Sequence, residues 1–168
     1  MNKIQKFNIQ IEEPCLENYA NPPEDPLGEL TEFEMGIRRF CFECNYQVSI
    51  QIGDKKKKVF FDPDICMLLE DNLPQKIQTL SQGQVIEIVF WESSLFTIKL
   101  VPSNETITCT LSELGYSNQQ ENLNLEKKQV ISVLNSFLSE IMNKAVVGGY
   151  ITSTQTEEFL IPICNKII

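Results

Sequence analysis

The chain has 168 residues, 42% of them hydrophobic, and a formal net charge of −9. That length suits a single domain spanning 1–168, and a domain of this size buries roughly 68–70% of its unfolded surface without disulfide or metal staples. The hydrophobic share excludes a disordered chain, and the acidity argues against nucleic acid and anionic membranes, which both reward basic patches, and for a basic protein as partner.

There is no histidine. The commonest general acid/base and metal ligand is therefore absent, along with every Ser/His and Cys/His dyad. The cysteines number six, too few for a disulfide scaffold at this length, and most sit in apolar runs as small buried hydrophobes do. Met1 to Ile11 alternates polar and apolar residues and has no secretory h-region. No window reaches about 18 consecutive apolar residues. These features predict a reducing cytoplasmic location.

In chain order, Lys6 to Glu12 alternates, with Phe7, Ile9 and Ile11 on one face, and predicts a strand. Residues 13–36 follow as an acidic, Pro-rich loop, with Pro14, Pro22, Pro23 and Pro26 against regular structure. Between Phe7 and Ile37 there is no Lys or Arg, while Glu12, Glu13, Glu17, Glu24, Asp25, Glu29, Glu32 and Glu34 all fall there. Nearly all the net negative charge is thus concentrated in one segment.

Phe40, Phe42, Cys44, Tyr46, Val48, Ile50 and Ile52 alternate with polar residues and predict one long, bent, half-buried strand. Gly53-Asp54 and Lys55 to Lys58 read as a hairpin tip, with a return strand from Val59. Asp62 reads as an N-cap with Pro63 at the first helical position, opening a helix broken at Pro74 and stopped at Gly83. Val85–Trp91 and Leu95–Val101 form a hairpin around Glu92-Ser93-Ser94, and Glu105–Leu111 adds a strand. Gly115 to Gln120 reads as loop. Asn124 is the expected cap of a long helix whose stripe runs from Val130 through Leu134, Phe137, Leu138 and Ile141 to Ala145 and ends at Gly148-Gly149. Tyr150–Thr154 and Phe159–Ile163 read as short final strands. Strands in blocks predict an α+β fold: an antiparallel sheet of about six strands, with the long C-terminal-half helix and the shorter broken helix packed on one face.

Candidate chemistry is sparse. Cys41-x-x-Cys44 is placed within the predicted strand, where positions three apart point to opposite faces, so neither a zinc site nor a redox pair is expected. Asp62-x-Asp64 lacks the other ligands of a calcium loop, and helix capping accounts for both residues. Lys55 to Lys58 reads as a solvated turn. The loop carboxylates could in principle serve a hydrolase, but nothing sets their separation. No phosphate-binding, dinucleotide or nucleophile-elbow motif is present. No catalytic residue, metal or cofactor is therefore expected.

If Ile86, Ile88 and Phe90 face the core, Val85, Val89 and Trp91 point away and Leu95 and Val101 join them, an outward apolar set of the kind that docks partners. In size, acidity and block order the chain resembles two broad classes. Bacterial immunity proteins are acidic inhibitors of basic toxins. Type III secretion chaperones are acidic and dimeric, with helices on an antiparallel sheet. The expected function is a non-enzymatic protein-binding partner of a basic protein, of immunity or other inhibitory type, with Glu24, Asp25, Glu29, Glu32, Glu34, Trp91, Val89 and Leu95 as the candidate contact residues. The alternatives are a dimeric adaptor, which would make the chain a homodimer, and a hydrolase using the loop carboxylates.

Overall fold

The structure is a computed structural model that describes residues 3–15, 21–93, 95–113, 115 and 119–164. Glu17 and Ser94 of the sequence reading lie outside the described residues. The chain is α+β, with two sheets, antiparallel except for one short parallel edge strand, sharing one core rather than the single sheet of about six strands expected.

Strand β1 (Ile4–Gln5) is followed after Lys6 by β2 (Phe7–Pro14). β2 pairs with β3 (Tyr46–Ile52), and β3 with β4 (Lys55–Phe60), making a three-stranded sheet. The second sheet has the order β1-β8-β7-β6-β5, from β5 (Ile86–Phe90), β6 (Phe96–Ser103), β7 (Thr106–Glu113) and β8 (Gln119–Glu126). β1 joins it parallel to β8, so the N-terminal segment passes from one sheet to the other. Ile86, Ile88 and Phe90 face inward as expected, level with Leu100, Ile98 and Phe96.

Helix α1 (Glu32–Cys44) corrects the long-strand expectation and shortens the acidic loop, whose last residues are helical. Thr31 caps it in a reciprocal box with Glu34, and Asn45, at φ 40°, ends it. Helical spacing then buries Ile37, Phe40 and Cys41. Period 2 holds only from Tyr46 onward.

A helical turn over Phe61–Ile65 leads into α2 (Cys66–Glu70) and α3 (Leu73–Ser81), the broken helix. Asp62 is extended (φ −119°, ψ 121°) and caps no helix, while Asn72 caps α3 through Gln75 N–H. Residues 119–126 are strand rather than loop and helix cap, because Leu123 and Leu125 of β8 continue the inner face that Ile107, Cys109 and Leu111 begin on β7. α4 (Lys127–Val147) starts later than Asn124 predicted. It is long and apolar enough to span a membrane by length and composition, but Val130, Leu134, Phe137, Leu138, Ile141, Met142 and Ala145 are buried in this core. The two C-terminal strands are instead α5 (Ser153–Cys164), opened by a second reciprocal cap between Thr152 and Gln155.

The lysine cluster lies in β4, not in the turn. Lys55 and Lys57 share the Val59 face and pair with Glu121 (2.6 Å) and Glu113 of the other sheet. Lys56 pairs with Glu12 at 3.0 Å. The Lys57 ammonium holds the Glu113 carboxyl below its ordinary 4.5. A depressed carboxyl contributes stability above its ordinary range and loses it as pH falls through the lowered value. Glu113→Gln should therefore remove about 0.5 kcal/mol at pH 7, an effect that shrinks as pH falls through the lowered value and vanishes once the carboxyl is protonated in both states, as read from urea midpoints.

Candidate functional site

The β5–β6 connection packs on the Phe61–Ile65 turn through a buried polar relay. Phe60 N–H donates to Ser93 Oγ at 2.7 Å, the Ser93 hydroxyl donates to the Asp64 carboxylate, and Glu92 N–H donates to the same carboxylate at 3.1 Å. Asp64 is 2% exposed and Ser93 6%. The carboxylate thus ties the end of β4, the helical turn and the hairpin tip together. This corrects the capping role expected of Asp64. Its partners lie 28 and 29 residues away in sequence, so no local signal could have revealed them.

Around this relay three large apolar side chains reach solvent: Phe60 (45% exposed), Trp91 (52%) and Leu95 (45%). Leu95 holds a left-handed backbone, φ 47°, which costs a non-glycine residue roughly 1–2 kcal/mol. Phe90 stacks on Phe96 beneath them, ring centroids 4.7 Å apart, so the tip rests on the core. Of the predicted outward set, Trp91, Leu95 and Val85 are exposed and Val89 is half-buried beside Thr97. Phe60 was missed, since its sequence position marks only the start of the return strand.

The acidic segment reaches the same turn. Asn21 and Pro23 line a groove with Arg38, Asp62, Pro63, Cys66, Met67 and Glu70. Burial and the nearby Glu70 charge push the Asp62 carboxyl up. Of the predicted contact residues, two serve the backbone. Asp25 accepts from Glu29 N–H (3.0 Å) and Leu30 N–H (3.1 Å), and Glu34 accepts from Thr31 N–H at 2.7 Å. Those bonds hold the Glu34 carboxyl below its ordinary value. Glu24, Glu29 and Glu32 are exposed.

Cys41 and Cys44 lie on α1 and do not form a pair. Cys41 is buried against α2, whereas the Cys44 thiol donates to Tyr150 Oη at 3.8 Å. Helical spacing thus buries Cys41, where strand alternation would bury Cys44. Among the described residues no three His, Cys, Asp or Glu side chains converge as a metal site would need. Comparison with protein-family models, with curated proteins and with solved structures finds no match.

Proposed function

We propose that the chain is a non-enzymatic binding protein of the reducing cytoplasm, an immunity-type or other inhibitory partner of a basic protein, that docks through the Phe60–Trp91–Leu95 tip. The observation that supports this reading is the tip itself: exposed apolar side chains on a buried, hydrogen-bonded mount. Aromatic anchors on a preorganised support are the usual source of binding energy at protein interfaces. The exposed carboxylates of residues 24–32 would supply long-range attraction, which sets the rate of encounter more than the affinity.

The test begins with tagged protein incubated in lysate of its own source at low salt. A wash at about 0.5 M salt, where the Debye length is about 4 Å, serves as comparator. A basic protein retained at low salt and released by the wash is expected. Against that protein, Trp91→Ala should weaken affinity about 30-fold or more, as loss of a central aromatic anchor does. Replacing Glu24, Glu29 and Glu32 together by Gln should slow association with little effect on dissociation. Unchanged affinity in Trp91→Ala would remove the tip from the interface. An empty pull-down together with a dimeric mass would favour the adaptor reading instead.

A further inference from the structure

Helices α1 and α2 meet in two stacked rungs. In the outer rung the Arg38 guanidinium is bonded to the Glu70 carboxylate. One turn inward on both helices lie Cys41, three residues after Arg38, and Cys66, four residues before Glu70. Running the two helices in opposite senses from the ion pair places these thiols on the same rung, and Cys66 is among the groups that raise the Cys41 thiol. Both are free thiols. Cys41 is wholly buried, while Cys66 is 6% exposed and lines the groove that Asn21, Arg38, Asp62 and Met67 share. The groove has a cavity volume of about 200 Å³, room for a small oxidant at one sulfur but not at the other.

We propose that Cys41 and Cys66 form a reversible intramolecular disulfide under peroxide, with Cys66 the sulfur attacked first and Cys41 the resolving thiol. Cys66 loses its proton and its sulfur attacks one peroxide oxygen. The O–O bond breaks, leaving Cys66 sulfenic acid and, with that proton, one water. The Cys41 sulfur then attacks the Cys66 sulfur, the S–O bond breaks, and hydroxide leaves with the Cys41 proton as a second water. Two thiols are oxidised and one peroxide is reduced. Burial pushes the Cys41 thiol well up, which slows this second step, since the thiolate is the better nucleophile. In a reducing compartment such a bond is transient and senses redox state rather than stapling the fold.

Among the described cysteine side chains, the other three are placed away from this pair. Cys44 is turned to Tyr150, Cys109 is buried on β7, and Cys15 lies at the end of β2, exposed. The experiment treats the reduced full chain with hydrogen peroxide, denatures it, alkylates the free thiols and maps the tryptic peptides by mass spectrometry. The expected product joins the peptide of Cys66 to that of Cys41. Its mass is two hydrogens below the sum of the two, it is reversed by dithiothreitol, and it persists in Cys44→Ser. In Cys41→Ala the cross-link should vanish and Cys66 should be trapped by dimedone as sulfenic acid. Recovery of Cys41 and Cys66 both fully alkylated from the peroxide-treated wild type, under conditions that oxidise Cys15, would overturn the proposal. So would a cross-link through Cys44. Cys41 and Cys44 share the tryptic peptide 40–55, so fragment ions within the cross-linked wild-type peptide, together with the Cys44→Ser map, decide the matter even if the Cys41 variant does not fold.

Discussion

Asp64→Ala is expected to destabilise the protein by about 3 kcal/mol, since two hydrogen bonds to the carboxylate are lost, and the buried Ser93 hydroxyl proton and the partly buried Glu92 N–H are left without an acceptor. The effect is smaller than the two bonds summed, because removing the carboxylate also relieves its own desolvation. For a chain of this length that corresponds to a fall in Tm of roughly 6–12 °C. The same substitution should loosen the Phe60–Trp91–Leu95 tip well below Tm. The chain has a single tryptophan, Trp91, so its fluorescence reports on the tip alone. In Asp64→Ala, acrylamide should quench Trp91 more strongly and its anisotropy should fall while far-ultraviolet dichroism is still native. Ser93→Ala removes the same relay from the other end. A double-mutant cycle with Asp64→Ala should then give a clear coupling energy, since the two side chains share one bond. A Tm within about 2 °C of the parent, or two effects that simply add, would show that the relay does not carry the tip.

Gly36→Ala has the opposite sign from what helix propensity alone predicts. In an exposed helix interior the change stabilises by about 1 kcal/mol. Here a Cβ at residue 36 would stand 2.3 Å from the Tyr150 carbonyl oxygen and 2.9 Å from Ile151 Cγ2. The first of these is backbone and cannot rotate away. Helix α1 must therefore move off the segment that links α4 to α5, and that displacement costs about 3 kcal/mol, leaving a net loss of about 2 kcal/mol. The same segment carries Tyr150, whose hydroxyl donates to Glu43 at 2.7 Å and whose ring packs on Phe40 at 5.4 Å. Near-ultraviolet dichroism should change along with the denaturant midpoint. A variant more stable than the parent would mean that α1 does not press on Tyr150.

Both substitutions probe contacts that no reading of neighbouring residues reveals. The elements that were legible are those whose local signals agree. Gly53-Asp54 between alternating runs makes the β3–β4 hairpin, Ile86, Ile88 and Phe90 set the inner face of β5, and the stripe from Val130 to Ala145 makes α4. The misread elements are those where two periods overlap. Phe40, Phe42 and Cys44 continue the alternation of β3, yet Ile37, Phe40 and Cys41 also follow a helical stripe. The tie is broken by Thr31 with Glu34, and again for α5 by Thr152 with Gln155; both are reciprocal caps that the spacing of a Thr and a Glu or Gln three residues later already spells out. β8 carried no such signal. Its Gln, Glu and Asn residues favour loop, and it is a strand because β7 leaves an unpaired edge and Leu123 and Leu125 complete the inner face.

The acidity, the absence of histidine and the outward setting of Trp91 and Leu95 were determined by the sequence by itself, since composition and alternation need no partner. The tertiary structure alone decided that Phe60 joins Trp91 and Leu95, that Asp64 mounts all three, and that Cys41 faces Cys66 rather than Cys44. The contacts behind them join residues 25 or more positions apart: Phe60 with Ser93, Asp64 with Ser93, and Cys41 with Cys66. Such contacts arise only when separate apolar faces are buried together, and burial in one common core is a property of the whole chain rather than of any window along it.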